Sequence, residues 1–555
     1  MSPSRADSLS PTREETLPFV HDVIIVGAGP CGLAVAARLR EQTPSALFTD
    51  EEHHRYHWIS RHASNAAIKN SKTGQTRTCE GNNSSKKSGF QPSMLVLDNS
   101  GNTWMSKWNR LFSMLEISHL RSPMFFHPDP HDRDGLLAYA HKEGRECECL
   151  EIAGCVGKEI SKHQMKKKRA RRGPGEQARP TITIDERDRK DYFAPPSDLF
   201  QNYCAWIAER YGLCDEDLIQ KASVSEIDYD FVPQLSPDEK LFTIRTDGSI
   251  YYARSVVLAV GAGNAPSIPK PFPHTGCPNA CHAFQPLDAA LAARVKARKS
   301  TNVMVIGGGL TSAQIADRAL RRGATRVYHL MRGPMKVKPF DVDLSWMGKF
   351  RNHEKASFWS ADTDEERSDL VKSARGGGSI TPRFAKTLDA HVRTGKLSIH
   401  THTTVTHSTY HPTEQTWSLE TSPPIPDLPK IHYVYFATGV QSDFEKLPYL
   451  QKIVQKYPVE SFDGLPALTD DLMWKGDVPL FMTGRFAALR VGPGAANLEG
   501  ARLGAERIVW GLQDVFKEEG GVGGSVGDEG EGGDESGVRY ASGIGSRFES
   551  LEVEG

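Results

Sequence analysis

A chain of 555 residues, 38% hydrophobic and 25% charged, has room for two or three packed domains and the composition of an ordinary globular protein. Its formal net charge of −1 gives no ground for a general nucleic-acid or membrane partner, and its nine scattered cysteines fit a reducing, cytoplasmic setting better than a disulfide framework. No run is apolar enough to span a bilayer, residues 1–18 lack the apolar core of a signal peptide, and Cys147-x-Cys149 and Cys277-x-x-x-Cys281 lack zinc spacing, so neither membrane nor metal is expected.

Residues 1–18, rich in Ser, Pro and charge, read as a disordered lead. The stretch His21–Leu39 then runs from an apolar strand through Gly27-Ala28-Gly29-Pro30-Cys31-Gly32 into a helix. Gly27 makes the turn, Gly29 lets backbone approach a pyrophosphate, and Gly32 lets the helix sit close on the strand; the helix N-terminus faces the phosphates. About twenty residues on, after Ala46-Leu47-Phe48, Asp50 or Glu51 stands where a ribose-binding acid is expected. Residues 64–92 are polar and read as a surface insertion. Trp104 and Trp108 share a helix face ahead of Leu120-Arg121-Ser122-Pro123, and they suit either a flavin ring or ordinary core. The loop 162–180 carries the basic run Lys166–Arg172, which reads as a solvated loop or, more sharply, as a nuclear-import or nucleic-acid patch. Ser197 is placed to cap an amphipathic helix with Leu199, Phe200, Tyr203, Cys204, Ile207 and Tyr211 on one side.

A hairpin follows, Leu241–Arg245 and Ile250–Ala253 about Asp247-Gly248, and leads into the apolar strand Ser255–Gly261. A second glycine turn opens at Thr301: strand, Gly307-Gly308-Gly309-Leu310-Thr311-Ser312, helix, then the strand Arg326–Leu330. Later come Thr416–Glu420 and Ile431–Gly439. Glycine turn, helix, polar stretch, meander and a strand ending Ala-x-Gly have thus occurred twice, which predicts two dinucleotides. A third segment resumes near Gly476, with the strand Val478–Gly484 and a helix from Asn497 to Leu512, before an acidic Gly-rich tail at 513–555 read as disordered. The fold class is therefore α/β, with two Rossmann-like dinucleotide-binding domains, the second nested within the first: 19–270 and a return segment 441–512 for one nucleotide, 300–440 for the other.

The second strand ends Leu330-Met331-Arg332, with no acid for a ribose 2′-hydroxyl. Arg332 suits a 2′-phosphate, hence NADPH; the bland alternative is a surface residue at a strand end. The first site, with its acid, suits the adenosine of FAD. Candidate cofactor residues are Gly27, Ala28, Gly29, Pro30, Gly32, Asp50, Trp104, Trp108 and Gly261 with Gly307, Gly309, Thr311, Ser312, Arg332, Gly439, Gly484 and Asn497. Two facing nucleotides imply hydride transfer from nicotinamide to flavin. No close Cys pair has redox spacing in a suitable context, which disfavours disulfide reduction and leaves oxygen as the natural acceptor.

At this point the chain resembles the flavin-dependent monooxygenases with two dinucleotide-binding domains, and most of all the siderophore ornithine and lysine N-hydroxylases. The matching stretches are Gly27-Ala28-Gly29-Pro30, Leu120-Arg121-Ser122-Pro123, Gly307-Gly308-Gly309-Leu310-Thr311-Ser312-Ala313 and Phe436-Ala437-Thr438-Gly439, across roughly residues 20–512. The resemblance implies an FAD- and NADPH-dependent oxidoreductase that uses molecular oxygen on a small molecule, with NADP⁺ retained during the oxygen chemistry. Two departures bear on the substrate. The N-hydroxylases place a substrate-gripping Lys about six residues before the arginine of this motif, and Leu115 stands there; their Asn-rich substrate stretch is replaced by Gly376-Gly377-Gly378-Ser379-Ile380-Thr381-Pro382. His282 loosely matches the linker histidine of flavin-containing and Baeyer–Villiger monooxygenases, at the wrong distance from Gly276. Rival readings are a regulatory flavoprotein, as in the oxidative-stress-induced growth inhibitors, and an NADPH oxidase or quinone reductase that inserts no oxygen.

Overall fold

A computed structural model describes residues 17–48, 52, 67–69, 76–78, 91–156, 186–261, 265–273, 276–285, 289–347 and 351–519. The lead as far as residue 16, Asp50, Glu51, the basic run and the tail from residue 520 lie outside the described residues.

The first sheet opens with β1 (Val20–Val26), which runs through the glycine turn into α1 (Pro30–Arg40). Val23, Ile24 and Ile25 are fully buried, as befits a central parallel strand with both faces covered. The stretch Ala46–Phe48, ahead of the expected acid, is a turn, pinned where the Ser45 and Ala46 amides donate to the Pro130 carbonyl. The next strand of the sheet is β2 (Met94–Asp98), beyond the polar insertion, parallel to β1 with Ile24 opposite Leu95 and Val26 opposite Leu97. After α2 (Ser106–Leu115) and α3 (Ser197–Arg210) comes β3 (Ile219–Lys221), parallel to β2. Ser197 does not cap α3: Pro196 holds the cap position, and the Ser197 hydroxyl donates to the Ile117 carbonyl at 2.6 Å. The expected side of α3 is nonetheless the packed one, with Leu199, Phe200, Tyr203, Cys204 and Ile207 buried.

A meander of β4 (Val224–Val232) and β5 (Ser236–Thr246) returns to β6 (Ile250–Leu258). Strand β6 is antiparallel to β5 across the expected turn, with Arg245 opposite Ile250, and parallel to β1. The chain then leaves for a second, wholly parallel sheet: β7 (Ala280–His282), β8 (Asn302–Ile306), α4 (Leu310–Arg321), β9 (Arg326–Leu330), then α5 (Asp364–Arg375), β10 (Leu397–His400) and β11 (Tyr433–Phe436). Its strand order is β7-β11-β8-β9-β10. A short antiparallel pair, Ala265–Pro266 with Val440–Gln441, ties the outgoing chain to the returning one. Back in the first sheet, β12 (Met473–Lys475) and β13 (Val478–Met482) complete the order β12-β13-β6-β1-β2-β3, and α6 (Leu498–Glu519) closes the described chain. The second sheet is thus nested within the first. Helix α6 runs past the expected end at Leu512 because Val515 and Phe516 still pack on the first core.

Packing blurs the boundary between the two halves. Phe340, Val342, Trp346, Met347, Phe358, Val371 and Ala374 lie between strands of the second sheet, yet bury their side chains in the core of the first. Conversely Leu115, at the end of α2, is buried in the core of the second sheet together with Ala313, Ile315 and Val303.

Helix α1 lies against α6, and between them Arg38 meets Glu506 in a buried two-pronged pair, Nε–Oε2 at 2.6 Å and Nη2–Oε1 at 2.8 Å. Removing one charge of such a pair strands the other. Glu506→Gln is expected to lower stability by about 1–3 kcal/mol. Urea unfolding of the variant beside the parent checks this, and an unchanged midpoint would show the pair to be idle.

Candidate functional site

Each glycine turn sits at the C-terminal end of a central parallel strand, where open α/β sheets bind ligands. In the first, Gly27 has φ +111°, and an added Cβ would stand 2.5 Å from the Ala259 carbonyl oxygen on the neighbouring strand. Gly32 packs so closely under the turn that an added Cβ would meet the Gly27 oxygen at 2.0 Å. Gly29 differs from both. Its backbone is extended (φ −84°, ψ −170°), it holds the cap position of α1 with no side-chain cap, and no described atom lies within 4 Å of an added Cβ. Pro30 opens the helix, where a missing N–H costs nothing. The uncapped amides of α1 and the open space over Gly29 are what a pyrophosphate needs.

Sequence reasoning missed the acid at this turn. Asp98, the last residue of β2, accepts from the Ala28 amide at 2.8 Å and from the Ser100 amide at 2.7 Å. It stands at the end of the strand next to β1, the place assigned from the sequence to Asp50. The polar insertion between α1 and β2 hid it from a count of twenty residues. The Ala28 carbonyl accepts from the Met105 amide, so the tryptophan segment abuts the same turn. Trp104 donates its indole N–H to the Leu213 carbonyl at 2.9 Å, and Trp108 stacks on Phe112 with ring centres 4.4 Å apart and also meets Phe200.

The second turn repeats the construction. Gly307 has φ +152°, and an added Cβ would stand 2.3 Å from the Ala437 carbonyl oxygen on the next strand. Gly309 occupies the cap position of α4 without a side-chain cap, Thr311 is half-buried in the first turn, and the buried Ser312 hydroxyl donates to the Gly309 carbonyl at 2.7 Å. His329 was also missed. It lies fully buried on β9 and donates Nε2–H to the Gly307 carbonyl at 2.9 Å; burial pushes its pKa down to about 4, so it braces the turn as a neutral ring. Its place on an alternating strand gave no signal beyond a core residue.

Arg332 is exposed at the end of β9 and makes no hydrogen bond or ion pair with any described residue. Lys336 and Lys338, just beyond, are committed: Lys336 Nζ donates to the Gly376 carbonyl and Lys338 pairs with Asp343 at 2.6 Å. They hold the Gly376–Gly378 loop against the second turn, so that an added Cβ on Gly378 would stand 3.1 Å from the nitrogen and Cα of Gly309.

The other predicted positions lie at the seams. Gly261 and Gly439 have φ +75° and +78° and flank the strand pair that links the two sheets. The Gly439 carbonyl accepts from His282 Nε2 at 2.9 Å, so His282 braces this crossing; burial lowers its pKa and keeps it neutral. Gly484 turns the chain after β13, beside Cys31 of α1. Asn497 reaches the other half instead, donating to Asp341 at 3.1 Å, and Asp341 also pairs with Arg375 at 2.8 Å. Arg121 of the Leu-Arg-Ser-Pro motif is a clamp between the halves: its guanidinium donates to the carbonyls of Lys338, Pro339, Phe340 and Ser379 and to the Ser379 hydroxyl. Burial lowers its pKa to about 10, which leaves it charged at neutral pH. Among the described residues no cluster of His, Cys, Asp or Glu could hold a metal ion, and no helix is long and apolar enough to cross a membrane.

Residues 189–422 match the family described as L-lysine 6-monooxygenase/L-ornithine 5-monooxygenase. Comparison with curated protein sequences gave no significant match. Among solved structures, the fold is similar to ornithine hydroxylase from Pseudomonas aeruginosa (TM-score 0.56, 16% identity, covering 90% of this chain and 100% of that one). It is similar to ornithine N-hydroxylase from Kutzneria sp. 744 (TM-score 0.57, 14% identity, 90% and 100%) and to L-lysine 6-monooxygenase from Pseudomonas syringae (TM-score 0.53, 16% identity, 89% and 99%). Family match and fold likeness agree with the resemblance carried by the sequence motifs: residues 189–422 match the lysine/ornithine monooxygenase family, and the chain as a whole shares the fold of these flavin enzymes.

Proposed function

We propose that the chain is an FAD-dependent, NADPH-using monooxygenase acting on a small molecule. The observation that carries this reading is the pair of uncapped glycine turns, one on each of two nested parallel sheets. The first sheet, 19–270 with 441–512, would hold FAD on Gly27, Ala28, Gly29, Pro30 and Gly32. Asp98 replaces Asp50 as the carboxylate for the adenosine ribose, already oriented by the Ala28 amide. Residues 300–440 would hold NADPH on Gly307, Gly309, Thr311 and Ser312. The Kutzneria enzyme is described with reduced FAD, NADP⁺ and ornithine, and a cadaverine monooxygenase from Erwinia amylovora with 14% identity and a TM-score of 0.54 is described as bound to FAD. We place the enzyme in the cytoplasm on its free cysteines.

Bound flavin supplies hydride acceptance and oxygen activation. The protein's part is to hold both nucleotides and fix the angle between the halves through Arg121, Asn497 and Asp341. The test is direct. Purified protein should be yellow, consume NADPH and oxygen together, and pass oxygen into an amine, sulfide or ketone. NADPH oxidation that yields only peroxide with every class would replace this reading with an oxidase, and a colourless protein would sink it.

Arg332→Ala should raise the KM for NADPH and leave that for NADH little changed. A charged contact to a 2′-phosphate is worth about 1.5–3 kcal/mol, so the expected loss is roughly tenfold to a hundredfold. Equal effects on the two nucleotides would remove Arg332 from the role.

A further inference from the structure

We propose that Arg485 is the cationic partner of the first dinucleotide's phosphates, an inference that rests on the FAD reading above. Arg485 directly follows Gly484, which has φ +72° at the turn leaving β13. That turn stands against the start of α1, for an added Cβ on Gly484 would lie 3.5 Å from the Cys31 sulfur. On its other side Arg485 feels the positive charge of Arg375, and burial and that charge together lower its pKa.

The cation beside it, Arg375, is engaged, and so are Arg121 and Arg38 elsewhere in the two halves. Arg375 donates to the Pro493 carbonyl and to Asp341; Arg121 donates to three successive carbonyls and to Ser379; Arg38 is held by Glu506. Arg485 has no such partner. Its Nε is buried and makes no hydrogen bond, and the guanidinium forms no ion pair with any described residue. A half-buried charged donor with its Nε shut off from water and another cation beside it is costly unless an anion completes the site. Phosphates lodged at the uncapped start of α1 would supply one, through charge-assisted N–H···O bonds. The second nucleotide fits this cation less well: its turn belongs to α4 in the other sheet, against which the Gly376–Gly378 loop is packed. Arg485 instead grows from β13, the strand on the far side of β6 from β1.

The experiment strips the purified chain of flavin and titrates it with FAD, for the parent and for Arg485→Ala, Arg485→Gln and Arg485→Lys. Each variant's far-UV circular dichroism and melting are recorded. A folded Arg485→Ala or Arg485→Gln should bind FAD about tenfold to a hundredfold more weakly. Arg485→Lys should recover part of the loss. The FAD-saturated variants should keep the parent's visible spectrum and reduction potential, because a phosphate contact does not touch the ring. Unchanged FAD affinity in a folded variant would overturn the proposal, and so would a loss accompanied by a shifted potential, which would place Arg485 at the ring. Failure of the parent itself to bind FAD would instead refute the reading on which the proposal rests.

Discussion

Gly29→Val should purify folded and without flavin. The backbone at Gly29 is extended, a region that valine prefers, and no described atom lies within 4 Å of the new Cβ. The fold therefore has no quarrel with the substitution. The pyrophosphate does, because the branched side chain would fill the space over the uncapped amides of α1. Two or three charge-assisted bonds of about 1.5–3 kcal/mol each would be lost, roughly a thousandfold or more in FAD affinity. Gly27→Val is the instructive contrast. At φ +111°, with a carbonyl oxygen 2.5 Å from the added Cβ, that change strains the sheet itself. Flavin absorbance per protein and the melting curve separate the two variants. Full flavin absorbance in Gly29→Val would remove this turn from the site.

The same contrast explains how much was legible. A glycine turn announces itself because its chemistry is local: strand, turn and helix are contiguous in sequence, and both copies lie where the sequence places them. The nesting was legible too, since a strand such as Val478–Met482 with no glycine turn of its own must pair with something already built. Least legible was whatever required counting residues across an insertion. Asp50, expected by distance from the turn, lies outside the described residues, and the strand that pairs with β1 is Met94–Asp98, which ends on Asp98. Ser197 failed differently. It has the residue type of a cap, but a nearby carbonyl, that of Ile117, holds its hydroxyl. Arg121, His329 and Arg485 could not be assigned roles from the sequence, because their partners or neighbours lie far along the chain.

Ornithine and lysine should not be hydroxylated. The resemblance puts Leu115 where the N-hydroxylases keep the Lys that grips an amino-acid substrate, and the structure removes that position from any ligand. The Leu115 side chain is 4% exposed and packed in the core of the second sheet. Neighbouring Glu116, which does carry charge, is paired to Arg318 and Arg321 of α4 and to Arg322 just past its end. The Gly376–Gly378 loop offers backbone alone, and that backbone is already against Gly309. A zwitterion would thus find no charged partner for its carboxylate at Leu115 or on this loop. At about 4 kcal/mol for burying such a charge, affinity falls roughly a thousandfold, enough to abolish useful turnover. A less charged substrate escapes the penalty. An NADPH-dependent hydroxylamine assay with both amino acids, run beside oxygen uptake, decides the matter. Coupled formation of hydroxyornithine would mean that a side chain other than residue 115 holds the carboxylate, and that the correspondence through Leu115 does not reach the substrate.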